Sequence, residues 1–188
     1  MPTKQRAIPQ EIYQIKVTLL GTSPPIWRRL LVPANLTLEQ LHDVLQLAMG
    51  WEDCHLHAFR IGQKRFATPD LDESITRLSS VLRKVGAKAV YTYDFGDDWH
   101  HGIAVEKVLP PEEGHAYPMC VDGKRHGPPE DCGGVSGFYN LLEAIGDPEH
   151  DEHEEMQDWL GDDFDPEAFS VDEVNRRLAL LHRAPEKG

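Results

Sequence analysis

The chain lacks any apolar run approaching the ~20 residues that cross a bilayer, and its mean hydropathy is -0.48. Its first ten residues are polar and carry Lys4 and Arg6, where a secretory leader needs an apolar stretch. A cytoplasmic protein with no membrane association is therefore expected. Cysteine is scarce: Cys54, Cys120 and Cys132 make an odd count without regular spacing, which excludes a disulfide framework. Eleven residues separate the last two, so the Cys-x-x-Cys knuckle of structural zinc sites is also absent. There is no glycine-rich phosphate loop, no His-Glu-x-x-His and no Gly-x-Ser-x-Gly. No serine stands beside an evident activating base, so nucleophilic catalysis has no support.

Positive charge is missing from a long stretch. Between His126 and Asn175 there is no Lys or Arg, against sixteen Asp or Glu. This block alone carries -16, and the rest of the chain is net +3, which gives the total of -13. An acidic balance argues against direct nucleic-acid binding, which relies on neutralising phosphates, and favours a protein partner with a basic surface. The pairs Arg28-Arg29, Lys64-Arg65 and Arg83-Lys84 read as solvated surface, with a local basic patch as the alternative.

What is present, over 188 residues, is the patterning of an α+β protein. Ile15, Val17 and Leu19 alternate in a strand from Glu11 to Leu20, and a turn at Gly21–Pro25 leads into a second strand, Ile26–Val32. Thr37 and Gln40 form a capping box ahead of Leu41, Val44, Leu45 and Ala48 at helical spacing, and Gly50 is a stop. His55–Ile61 reads as a third strand. This order of hairpin, helix and strand is β-grasp-like. A short strand at Lys64–Ala67 is followed by a helix over Ser74–Val85 that buries Ile75, Leu78, Val81 and Leu82. Pro110–Gly137 reads as a long loop. Three helices then close the chain: Gly137–Ile145; one from Asp147-Pro148 to Leu160; and one capped by Ser170 with Val174, Leu178 and Leu181 as its stripe. A helical C-terminal part thus follows a mostly antiparallel sheet. Residues 10–182 are expected to form a single domain, with flexible termini at 1–9 and 183–188.

The chemistry gathers on a second hairpin. Tyr91, Tyr93 and Phe95 alternate, Gly96-Asp97-Asp98 turns, and Trp99, Ile103 and Val105 resume the pattern. A turn needs one or two aspartates, whereas this tip holds Asp94, Asp97, Asp98, His100 and His101. Trp99 is expected to be buried. Upstream, His55 and His57 sit two apart, the spacing that puts two ligands on one strand face. Downstream, the stiff Pro128–Gly134 loop carries Glu130, Asp131 and Cys132. These three segments are expected to converge on one polar site of His55, His57, Asp94, Asp97, Asp98, His100, Glu130, Asp131 and Cys132. Asp94, Asp97, His100, His55 and His57 are the candidate ligands for a divalent zinc, magnesium or manganese ion.

Several segments together resemble one family: Pro25-Ile26-Trp27-Arg28-Arg29, Thr37–Trp51, His55-Leu56-His57-Ala58-Phe59, Tyr93–His100, and Pro128–Gly137 followed by Phe138. The sequence is similar to the plasmid pRiA4b ORF-3-like proteins, also called insertion-sequence passenger or TnpR-like proteins. The resemblance implies an α+β domain associated with mobile elements, and no established activity. Resolvase chemistry is not expected, because Ser23 lies in a proline-rich turn and the C-terminal half is acidic. Two readings stay open. One is an accessory or adaptor protein that binds a protein or peptide partner through a polar groove. The other is a metal-dependent hydrolase or nuclease that uses the Asp/His cluster.

Overall fold

In the computed structural model of the protein, residues 11–67, 71–161 and 163–182 are described. The alternating segments become β1 (Ile12–Leu19) and β2 (Ile26–Pro33). Helix α1 (Leu38–Met49) follows, then β3 (His57–Ile61) and β4 (Lys64–Phe66). Next come α2 (Leu78–Val81), β5 (Lys88–Tyr93), β6 (Trp99–Leu109) and β7 (Met119–Lys124). Three helices close the chain: α3 (Gly134–Gly146), α4 (His153–Leu160) and α5 (Val171–Leu178), with a 3-10 turn at Ala179–His182. The strands form one seven-stranded sheet in the order β4-β3-β5-β6-β1-β2-β7. Every neighbouring pair is antiparallel. The fold is α+β. The strand after α1 does not return beside β1, because β5 and β6 lie between them.

Period-two alternation gives the sheet one apolar face. Ile15, Val17, Leu19, Leu30, Tyr91, Tyr93, Trp99, Ile103 and Val105 are buried there. They share a core with Leu41, Val44 and Leu45 of α1, Phe138 and Leu141 of α3, and Val174 and Leu178 of α5. The opposite face is only partly covered and carries Lys16, Trp27, Arg29 and His100. Trp99 is buried, as its place opposite Tyr93 requires. Among the described residues, no helix is long and apolar enough to cross a membrane.

Both halves of the α1 capping box form. The Thr37 hydroxyl accepts from the Gln40 N–H at 3.2 Å, and Gln40 Oε1 accepts from the Thr37 N–H at 3.0 Å. Gly50 ends the helix at φ 85, a left-handed conformation that costs glycine little. Buried Arg28 ties this end to the sheet. It donates to the Ala48 carbonyl at 2.9 Å and to the Lys124 carbonyl at 3.1 Å, and stacks over Phe169.

The structure differs from the sequence reading at three elements. The long loop contains β7, which alternation failed to reveal among prolines and glycines. Asn175 closes that edge, accepting from the Cys120 N–H at 2.7 Å and donating to the Cys120 carbonyl at 2.8 Å. The Ser74–Val85 helix shrinks to the single turn α2. Asp72 takes the Ser74 N–H at 2.8 Å and the Thr76 hydroxyl at 2.6 Å, and local side-chain bonds of this kind compete with helix. Ile75 is consequently exposed. Helix α4 starts at His153 rather than Asp147, because Asp147 and His150 accept from the Glu149 and Glu152 N–H groups in turns. The termini expected to be flexible lie outside the described residues.

His101 points into the core, with Trp51 edge-on at 5.1 Å between ring centroids. Burial pulls its pKa down to about 4, against about 6.5 when unfolded. The unfolded chain therefore binds the extra proton first, and stability falls as pH drops from about 6.5 to about 4. The loss over that window amounts to about 3 kcal/mol. Chemical denaturation at stepped pH will show this limb, and His101→Leu will flatten it.

Candidate functional site

The site forms where the β5–β6 turn meets the segment before β3 and the loop before α3. Asp94 leaves β5 with φ 58, a left-handed backbone that aspartate tolerates better than most residues. Its Oδ1 accepts from the Gly96 N–H at 2.9 Å and the Asp97 N–H at 3.3 Å, and its own N–H donates to the Leu56 carbonyl at 2.8 Å. One carboxylate oxygen is thus spent on the turn, and Oδ2 faces His55 Nε2 at 3.6 Å.

Glu130 is divided in the same way. Its Oε1 accepts from the Tyr93 hydroxyl at 3.0 Å and from the Glu52 N–H at 3.0 Å. Its Oε2 lies 3.9 Å from His55 Nε2. Asp131, also left-handed at φ 55, brings Oδ1 to 2.9 Å from the same nitrogen. His55 Nε2 is a buried atom, and no hydrogen bond to it meets normal geometry among the described residues. Three carboxylates therefore crowd one imidazole nitrogen without alignment. Burial raises the Tyr93 pKa, so its hydroxyl stays a neutral donor.

The chain around the site is anchored. Trp51 Nε1 donates to the Pro128 carbonyl at 2.9 Å, and the Gly133 N–H donates to Asp97 Oδ2 at 3.1 Å. A second network holds the segment before β3. Gln46 donates to the Tyr91 hydroxyl at 2.9 Å, which lies 2.7 Å from His42 Nδ1. His42 Nε2 in turn lies 2.8 Å from Asp53. The chain is consistent if Tyr91 donates to Nδ1 and the His42 Nε2–H donates to Asp53. Burial lowers the His42 pKa and favours that neutral form. The His42 ring stacks on His57 at 3.5 Å between centroids, and His57 Nε2 lies 2.9 Å from Glu73.

The structure brings together His55, Asp94, Glu130 and Asp131. It separates the other residues named from sequence. His57 belongs to the His42–Glu73 network, because β3 begins only at His57 and a bend at His55 breaks the expected strand face. His100 alternates with buried Trp99 and so points to the open face, bonding Thr92 at 2.8 Å and Asp98 at 3.0 Å. Asp97 pins the loop and does not reach His55. Cys132 packs against the core, and burial pushes its thiol up to about 12, leaving it unionised. The three segments meet, but only in part. Glu52 and the His42–Gln46 pair went unnoticed in the sequence, and Tyr93 reads there only as a strand residue. His42 and Gln46, four apart on the flank of α1, were the one available signal.

The comparisons agree with this architecture. The profile of the plasmid pRiA4b ORF-3-like proteins matches residues 11–173. The uncharacterized protein y4hQ of Sinorhizobium fredii is 38% identical over 176 residues, covering 89% of this chain and 90% of that protein. The crystal structure of MM3350, a protein of unknown function from Methanosarcina mazei Go1, superposes with a TM-score of 0.81 at 42% identity. That match covers 88% of this chain and 98% of the other.

Gly134 marks how tightly the loop is pressed on the hairpin. At φ 68, a Cβ there would lie 2.5 Å from the Asp97 carbonyl oxygen. Gly134→Ala will therefore cost about 1–3 kcal/mol through backbone strain. Its melting temperature will fall, and amide exchange across Pro128–Gly134 will accelerate.

Proposed function

We infer the function from the site and from one premise: the chain belongs to the plasmid pRiA4b ORF-3-like family. The reading best supported is a divalent-metal-dependent hydrolase with one ion at His55, Asp94 and Asp131 and with Glu130 beside it. One observation carries it. Asp94 and Glu130 each commit one oxygen to the fold and turn the other toward His55 Nε2. Side chains held in this way by outer hydrogen bonds are pre-set for a ligand. Without a cation, three carboxylates around one imidazole repel one another in a partly desolvated space.

One imidazole nitrogen with carboxylate oxygens suits zinc or manganese, and a mostly oxygen set also admits magnesium. A divalent ion there supplies an acidified water and a Lewis acid. Asp131 is exposed, so the centre opens to solvent on its side. Tyr93 and the Glu52 N–H hold Glu130 in place, which positions it to take a proton from attacking water.

One observation favours the accessory-protein reading as a second choice. Leu56, beside His55, is 73% exposed, an apolar anchor at the rim. In that case the ion would serve only to latch the Pro128–Gly134 loop, and the partner would dock on the rim.

The test uses untagged protein stripped of metal and titrated with Mn2+ by calorimetry. One ion per chain is expected, and His55→Ala or Asp94→Asn will weaken binding at least ~10-fold. Unchanged affinity in both variants would remove the centre. Mn2+-dependent turnover of a nitrophenyl phosphodiester, lost in Asp94→Asn, decides for the hydrolase. Binding without turnover decides for the latch.

A further inference from the structure

The register of the sheet sorts charge in a way that the linear sequence conceals. On the face away from the helices, the paired positions place Lys16, Arg29, Arg60, Arg65, Lys88 and Lys124. Glu106 and Asp122 share that face, and Arg29 engages both, at 2.7 Å and 3.0 Å. Glu106 also acts electrostatically on Lys16, so the two carboxylates offset part of the positive charge on this face. Helices α3, α5 and the acidic stretch they belong to pack against the other face. A chain of net charge -13 thus presents one basic sheet surface.

Two rings flank this surface. Trp27 has Lys16 Nζ at 4.8 Å and Arg29 Cζ at 5.0 Å from its centroid. Phe95, 46% exposed, has Arg65 Cζ at 5.5 Å. Between them the floor is neutral: Thr18, Gly102 and Val90 follow one another across β1, β6 and β5 in a row running from Trp27 to Arg60 and Arg65, with the partly exposed Leu20 side chain beside Gly102. Five strand spacings of about 4.8 Å make that row about 24 Å long. At its Arg65 end lies a cavity of about 160 Å³ lined by Arg60, Arg65, Thr92, Phe95, Asp98 and His100.

We propose that this open sheet face binds single-stranded nucleic acid. Cations selected by the register attract the phosphates along an uncharged strip of the sheet. The rings at either end offer stacking surfaces to exposed bases, the combination that single strands use without sequence preference. An acidic peptide would use the cations but not the rings. A duplex hides its bases and presents a rounded backbone to a flat sheet. Repulsion from the acidic side orients a strand toward this face. Net charge alone argues against nucleic acid, but that argument assumes an even distribution, and the fold removes the assumption. The inference does not depend on the His55 centre.

The experiment is fluorescence anisotropy with a labelled deoxythymidine dodecamer, in EDTA so that no metal contributes. The full chain will bind at low salt, with log Kd rising with log salt at a slope of about 2–3, or about 0.7 per phosphate contacted. The exposed double reversal Arg60→Glu/Lys88→Glu will raise Kd at least ~10-fold, and Trp27→Leu will raise it about 3-fold or more. Circular dichroism and melting will show that the folds are intact. Reversal on the acidic side, Glu154→Lys/Glu155→Lys, will leave binding equal or tighter. The inference is overturned if the dodecamer does not bind at low salt, or if Arg60→Glu/Lys88→Glu binds like the parent. It is equally overturned if polyglutamate displaces the oligonucleotide at equal charge, or if a duplex of the same length binds more tightly.

Discussion

The junction between the β5–β6 turn and the Pro128–Gly134 loop is the constraint on which the site depends. Asp94 builds the turn with one oxygen, Asp97 receives the Gly133 N–H, and the glycine backbone closes on the Asp97 carbonyl. None of these contacts is strong alone. Each N–H···carboxylate bond contributes on the order of 1–3 kcal/mol, and leaving such groups buried and unpaired would cost about as much. Together they fix two left-handed aspartates, which would otherwise relax. The aromatic wall behind them, Trp51 on Tyr93 at 4.9 Å and Trp99 on Phe138 at 6.4 Å, gives the junction a rigid floor. Remove the junction, and Glu130 and Asp131 lose their fixed distance to His55.

Two alternations place the chemistry. Along β6, Trp99 and His101 face the core, so His100 must face out. One hairpin tip is thereby divided between two surfaces: Asp94 toward His55, and Asp98 with His100 toward the open sheet. The same parity collects basic side chains on the open face, with Glu106, Asp122 and Asp98 among them, while the acidic 126–175 stretch lies with the helices. The metal candidate and the basic platform therefore adjoin at a shared rim. A strand lying on the sheet would pass Asp98 and His100 before reaching the His55 centre. That adjacency sets the proposed metal centre beside the proposed strand-binding face, and neither proposal depends on the other.

Much of this was legible in the sequence. Alternation gave β1, β2, β5 and β6, the Thr37–Gln40 box gave the start of α1, and the Gly96–Asp98 turn made the burial of Trp99 necessary. His55, Asp94, Glu130 and Asp131 were all recognisable as candidates. Separating them from His57, His100 and Cys132 needed facts that composition does not carry. The bend at His55 breaks a strand period that the His-x-His spacing invites one to extend. The left-handed backbones of Asp94 and Asp131 have no signature beyond the tolerance of aspartate for that region. Edge strand β7 was hidden by Pro110, Pro111, Pro118 and Gly123, and its pairing depends on Asn175, more than fifty residues away. The basic face emerges only from the register, which sequence does not supply.

The central claim is that the chain holds a divalent cation at His55 Nε2. The most direct measurement is anomalous diffraction from crystals grown with Mn2+, recorded on both sides of the manganese absorption edge. One anomalous peak is expected within about 2.0–2.3 Å of His55 Nε2 and of oxygens from Asp94 and Asp131. No peak at His55, or a peak at the His42–His57 stack instead, would contradict it.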